Sequence, residues 1–155
     1  MKIMNRIYSK PPRLPVITQA QPLYFVTFCI MYRRRLLANA DAHEAFCQYA
    51  QAGLEHGAGV GRYVLMPQHI HLFIRVSGET TLGRWVGGLK RAMGRVLESN
   101  GGLVWQPGFF DHLLRHDESY AEKWAYVRDN PVRKNLVTKW EDWPYLGEIV
   151  MIDRA

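Results

Sequence analysis

Residues 60–76 read VGRYVLMPQHIHLFIRV, and this stretch decides the fold. Two runs rich in β-branched and aromatic residues flank Met66-Pro67-Gln68, which reads as a turn, so a β-hairpin is expected. Along a strand, side chains at i and i+2 leave the sheet on the same side. His69 and His71 therefore project together while Ile70 points the other way. Upstream, LYFVTFCIMY at residues 23–32 predicts a buried strand, with Arg33, Arg34 and Arg35 at its end. Residues 40–56 have helical spacing, with Ala45, Phe46, Tyr49 and Leu54 on one broad side and Gly57 and Gly59 as the stop. Residues 81–98 are helical again: Leu82, Trp85, Val86, Leu89, Met93, Val96 and Leu97 form the apolar side, and Asn100-Gly101-Gly102 ends it. A fourth strand is expected at 103–105, irregular structure through Pro107 and Gly108, and a last helix at 118–130 stopped by Pro131.

The order β-α-β-β-α-β-α predicts an α+β domain. Its core is ferredoxin-like β-α-β-β-α-β with an antiparallel sheet, helices on one face and a C-terminal helix bearing Tyr126. With 155 residues there is room for one domain with a real core. We divide the chain into a basic N-terminal arm at 1–20 (Lys2, Arg6, Lys10, Arg13, interrupted by Pro11, Pro12 and Pro15), a single domain at 21–147 and a tail at 148–155. The Trp-rich WEDWPYLG from Trp140 is expected to pack across the domain, and no internal repeat or low-complexity segment is visible.

Lys and Arg outnumber Asp and Glu by 20 to 14, so the surface attracts polyanions such as nucleic acid. Cys29 and Cys47 cannot build a disulfide framework; they read as buried small apolar residues in a reducing compartment. No run approaches the roughly 18 apolar residues of a membrane span, and the N-terminus lacks the apolar core of a signal peptide. A cytoplasmic, nucleoid-associated bacterial protein is the expectation.

The His pair has two readings: ligands for a divalent metal, or two hydrogen-bonded surface histidines. A histidine-triad nucleotide hydrolase would want a third alternating His, and position 73 is Phe73. Tyr126 and Asn130 stand at i and i+4, so they share a helix face. Singly they read as a half-buried aromatic and a helix C-cap. Together with the His pair they suggest a site in which an amide oxygen completes a metal centre. The metal would bind a non-bridging phosphate oxygen, and the phenol would displace the 3′ oxygen of the preceding nucleotide. The products would be a 5′-phosphotyrosine and a free 3′-OH.

LMPQHIHLFIRV at 65–76 resembles the His-hydrophobic-His motif of the HUH single-strand nucleases, in the form used by single-tyrosine transposases. VWQPGFFDHLLRHDESYAEKWAYVRDNPVRKNLV at 104–137 resembles the C-terminal half of the REP-associated tyrosine transposases, with a Trp-Gln-Pro segment, an acidic-His pair, an Arg and a Tyr-x-x-x-Asn-Pro-Val block in that order. The resemblance runs from about Tyr24 to Leu146. It implies a ferredoxin-like fold, Mg²⁺ or Mn²⁺, and cleavage and strand transfer on hairpin-forming single-stranded DNA. It carries the metal-ligand role to His69, His71 and Asn130 and the nucleophile role to Tyr126. Asn130 stands where the mobile-element branch usually has Gln, which favours the REP-associated branch, and Ala125 stands where that branch often has an acidic residue.

Candidate phosphate contacts are Arg33, Arg34 and Arg35; Arg84, Lys90, Arg91 and Arg95; and Arg128, Arg133 and Lys134. Trp105, Trp140, Trp143 and Tyr145 are candidates for stacking on unpaired bases, with core packing as the alternative. His112 is expected to pair with Asp111 or cap local backbone, the other reading being a place near the metal or scissile phosphate. Two rival functions stand beside strand transfer: a catalytically silent DNA-binding protein of the same fold acting on palindromic repeats, and a phosphodiesterase of small nucleotides. Monomer and homodimer both remain open.

Overall fold

The structure, a computed structural model, describes residues 11–12, 21–97 and 103–152. In chain order its regular elements are β1 (Leu23–Cys29), α1 (Ala40–Ala52), β2 (Ala58–Leu65), β3 (His69–Val76), α2 (Leu82–Gly94), β4 (Phe110–Leu113), α3 (Tyr120–Arg128), α4 (Asn130–Arg133) and β5 (Leu146–Glu148), joined in places by short 3-10 turns. The sheet order is β4-β1-β3-β2-β5, and every pairing is antiparallel. The first four strands are the expected ferredoxin-like arrangement, with β5 added at one edge.

The hairpin forms where Met66-Pro67-Gln68 interrupts the apolar runs, closed by Met66 N–H donating to the His69 carbonyl at 2.8 Å. Helix α1 starts at Asn39, whose side chain accepts from Ala42 N–H, and α2 starts at Thr81 in the same way. Both then bury one stripe: Phe46, Cys47 and Ala50 from α1, and Trp85, Val86, Leu89 and Met93 from α2. These meet the fully buried Val26, Phe28, Ile70, Leu72 and Tyr63 of the sheet in one core.

Several elements fall elsewhere than the sequence pattern suggests. Residues 103–105 contribute only an isolated bridge between Ile30 and Trp105, and the fourth strand is Phe110–Leu113. Pro107 has no N–H to give a ladder and Gly108 adopts φ +74°, so the chain turns there and pairs with β1 only afterwards. The C-terminal helix divides at Asp129. Pro131 sits in the first turn of α4, where its missing N–H costs nothing, rather than terminating the helix. Helix α2 ends at Gly94, which leaves Val96 46% exposed instead of on the apolar side.

The tail does pack across the domain. β5 pairs with β2, and Ile149 and Val150 donate to the carbonyls of Gly61 and Val60, both at 3.0 Å. Ile149, Val150 and Ile152 are buried, so the packing continues past residue 147 into the stretch set apart as a tail. Of the 1–20 arm, only Pro11 and Pro12 are described, and the Pro12 carbonyl accepts from Met151 N–H; the remainder lies outside the described residues.

Candidate metal and nucleic-acid site

Strand register sorts the sheet into two faces. The direct pairs Val26 with Leu72, Phe28 with Ile70 and Tyr63 with Leu72 face α1 and α2. The pairs Phe25 with Phe73, Thr27 with His71 and Cys29 with His69 occupy the opposite face. The C-terminal helices cover this second face: Tyr120 meets Phe73 edge-on at 4.9 Å, and Asn130 reaches His69. The Tyr126 helix therefore lies across the sheet from the two core helices, with Tyr120 seated on β2 and β3.

Three buried side chains at helical spacing, Tyr120, Trp124 and Val127, hold α3 down, and Ser119 caps it by accepting from Glu122 N–H at 3.2 Å. The Tyr120 hydroxyl accepts from Arg62 N–H at 2.8 Å beside Gly61. A Cβ at Gly61 would overlap that hydroxyl and stand 2.7 Å from Ile152 Cδ1, so only glycine lets the helix come this close. Tyr126 is turned away from the buried side and is 68% exposed.

The His69 and His71 rings lie 4.6 Å apart between centroids. His71 Nδ1 is 2.7 Å from the Thr27 hydroxyl, and its ring stacks on Phe25 at 5.4 Å. With Nδ1 donating to Thr27, Nε2 keeps its lone pair for a ligand. The Asn130 amide nitrogen is 3.4 Å from His69 Nε2; a half-turn of the amide presents Oδ1 at the same place. Burial, reinforced by Arg33 and Lys134, lowers the His69 pKa to about 4. Burial, with His69 and Arg133 adding to it, lowers His71 to about 3. Both rings are thus neutral at pH 7, the form a metal requires. Among the described residues no three His, Cys, Asp or Glu side chains form a metal-binding group, and the polar side chain at the His pair that could act as a third donor is the Asn130 amide. Two neutral imidazoles and an amide oxygen fit a divalent cation and leave further coordination positions for phosphate oxygens.

Next to these donors is an open cleft of about 620 Å³, lined among others by Phe25, His71, Tyr126, Asn130, Arg133 and Lys134. The Arg133 guanidinium sits 4.0 Å over the Tyr126 ring, and its Nη1 donates to the Tyr126 carbonyl at 2.6 Å. Two candidate metal donors, a phenol, the Glu122 carboxylate and three cations, Lys123, Arg133 and Lys134, thus share one cleft.

The chain matches, over residues 18–129, the family described as Transposase IS200 like. It belongs to that family. It is 26% identical over 139 residues to a Haemophilus influenzae protein provisionally named a REP-associated tyrosine transposase, covering 79% of this chain and 77% of that protein. It is 28% identical over 90 residues to the REP-associated tyrosine transposase of Escherichia coli K12, covering 56% of this chain and 52% of that one. In three dimensions it is similar to a REP-associated tyrosine transposase solved with a REP hairpin: TM-score 0.67 at 20% identity, over 89% of this chain and 81% of the other. The resemblance read from the two motifs thus agrees with all of these comparisons.

In this IS200-like transposase the remaining candidate residues separate by position. Arg33 stands close enough to depress the His69 pKa, and Lys134 lines the cleft. Arg34 turns inward, donating to the carbonyls of Met31, Leu103 and Val104. Arg35 is exposed in a separate depression with Asn39 and Asp41. Arg84, Arg91 and Arg95 are exposed, but they belong to α2 and the turn after it, on the other side of the sheet from the His pair. Lys90 donates to the carbonyls of Gln106 (3.0 Å) and Gly108 (2.6 Å), and Arg128 lies over Trp140 at 4.5 Å, so both hold the fold together. Trp105 and Trp143 donate to the carbonyls of Lys90 and Leu65, each at 2.9 Å, and Tyr145 packs edge-on against Trp143.

His112 pairs with the Glu118 carboxylate at 3.0 Å, not with Asp111. It thereby ties β4 to the residue before the α3 cap. Thr27 and Phe25 were not singled out from the sequence. Nothing local marks them, because only the β1–β3 register sets them against the His strand.

Proposed function

We propose that this protein cleaves and rejoins single-stranded DNA carrying hairpin-forming palindromic repeats, through a covalent 5′-phosphotyrosine. The observation that carries the reading is the single cleft joining Tyr126 to His71, Asn130 and Arg133. The REP hairpin bound by the structurally similar transposase supports the choice of DNA. His69, His71 and Asn130 would hold Mg²⁺ or Mn²⁺, which supplies charge stabilisation at the phosphate when bound. Lys134 and Arg133 draw the strand in, and Arg133 fixes the Tyr126 ring over the cleft. The Tyr126 oxygen attacks phosphorus, the bond to the 3′ oxygen breaks, and the phenolic proton passes by way of solvent to the departing oxygen. Because the phosphodiester energy is conserved in the tyrosyl link, a free 3′-OH can reverse the step and join strands without ATP.

The test is incubation with Mn²⁺ and hairpin oligonucleotides bearing unpaired flanks, followed by denaturing electrophoresis for a protein–DNA adduct. Wild type forms the adduct, and Tyr126→Phe loses it while binding the hairpin unchanged. An adduct that persists in Tyr126→Phe overturns the nucleophile. Hairpin binding with no adduct at any metal concentration establishes the silent DNA-binding reading instead.

A further inference from the structure

We propose that Tyr32 is a stacking platform for one unpaired base of the strand whose backbone lies at the His69–His71 site. The inference rests on the reading of that site as one that takes single-stranded DNA, and it adds a base-contacting residue beside it.

Strand β1 ends at Cys29, directly opposite His69, and Ile30 N–H donates to the Gln68 carbonyl at 2.8 Å. The turn that follows is thus anchored where the His strand begins. Arg33 N–H closes it back onto the Ile30 carbonyl at 3.1 Å. Within it, Tyr32 (φ +60°) and Arg33 (φ +54°) are consecutive non-glycine residues in the left-handed region. Bulky side chains rarely adopt that backbone conformation, and where it persists the surroundings enforce it, often at ligand sites. Here the enforcement is visible: Met31 N–H donates to the Val104 carbonyl at 2.8 Å, and the Arg34 guanidinium bridges the carbonyls of Met31 and Leu103.

The result of this bracing is an aromatic side chain pushed outward. Tyr32 is 84% exposed, more than any other large hydrophobic residue among those described. No ring contact or hydrogen bond of its side chain appears among the described residues, unlike Trp105, Trp143 and Tyr120. Its immediate neighbour Arg33 is one of the two cations felt at His69. An exposed aromatic ring on a braced backbone, with Arg33 next to it, is a combination that suits single strands, with charge on the phosphate backbone and a ring under a base. The exposed guanidinium of Arg33, adjacent in the chain, makes an apolar protein partner a poor match for this turn. Stacking needs only a π face, so Tyr32 selects an unpaired base without reading its identity.

The experiment measures affinity for a hairpin oligonucleotide with unpaired flanks, intact and with single abasic positions scanned along the flanks. Tyr32→Ala is expected to weaken binding roughly ten-fold, the typical effect of removing one stacked aromatic. Tyr32→Trp should bind at least as well as wild type. Tyr32→Asn, which suits the left-handed backbone but lacks a ring, should weaken binding as Ala does, separating the ring from the turn. One abasic position should weaken wild type by the same factor and leave Tyr32→Ala unaffected. If Tyr32→Ala binds like wild type while wild type forms the Tyr126 adduct, this inference alone falls. If wild type binds neither hairpin nor flank, the reading of the cleft falls and this inference with it.

Discussion

Replacing Thr27 by Val tests whether the His pair is an oriented metal site or two histidines that happen to be neighbours. Thr27 faces His71 in the β1–β3 register, and its hydroxyl lies 2.7 Å from Nδ1. Valine keeps the β-branched shape that suits a strand and removes only the hydrogen bond. The lost bond costs roughly 0.5–1.5 kcal/mol, partly offset by the added methyl, so the folded state survives. The larger effect falls on the ring, because without Thr27 the proton of the neutral imidazole is free to occupy Nε2. That is the nitrogen needed for the metal. Loss of an orienting partner of this kind typically weakens metal binding about 10- to 100-fold. Titration with Mn²⁺ by calorimetry reads this directly, and thermal melting without metal supplies the control. Thr27→Ser, which keeps the hydroxyl, should recover most of the affinity. Mn²⁺ binding by Thr27→Val within about two-fold of wild type, with an unchanged melting curve, would refute the orienting role.

Arg133→Ala should slow adduct formation about ten-fold, with less effect on hairpin affinity, because it removes the group holding the Tyr126 ring; equal rates for the two proteins would leave that contact without a role. Gly61→Ala should destabilise the fold by roughly 1–3 kcal/mol, since its methyl meets the Tyr120 hydroxyl and Ile152, and an unaltered melting temperature would contradict the close packing. Acid should loosen the protein through His43, which is buried and bonded to the Tyr63 hydroxyl at 2.7 Å. Burial lowers its pKa from 6.5 to about 4, so the unfolded chain takes up the proton first. Its contribution is complete above about pH 6.5 and is lost as pH falls toward 4, about 2 kcal/mol between pH 7 and 5. Denaturant unfolding of wild type and His43→Gln at both pH values should show a shallower pH dependence in the variant.

The hairpin at 60–76, both core helices and the ferredoxin-like order were legible because each element carries its own local signal: unbroken β-branched and aromatic runs in the strands, a 3.6-residue apolar repeat in α1 and α2. The strand at Phe110–Leu113 was not, since an edge strand with Asp111 exposed and His112 half-buried has no apolar alternation to show. Pro131 was misread for a related reason. The same residue ends one helix or begins another, depending on whether the preceding turn can close, and here Asp129 closes it. The roles of Lys90, Arg128 and Trp143 were hidden as well, because a cation or an indole looks the same in sequence whether it faces solvent or a carbonyl.

His69, His71, Tyr126 and Asn130 were singled out in the sequence because i/i+2 and i/i+4 spacing suggested that each pair shares a side and the family resemblance gave the pairs roles, although the helix in fact divides between Tyr126 and Asn130. Sequence could thus pair His69 with His71 and Tyr126 with Asn130. Only the family resemblance joined the two pairs into one site; the spacing along the chain could not show how they meet in space. That depended on the sheet having a second face, on Gly61 admitting Tyr120 against it, and on Thr27 and Phe25 falling into register beside His71. Contacts within a strand or helix follow from a local repeat; contacts between elements follow from packing, which no local repeat encodes.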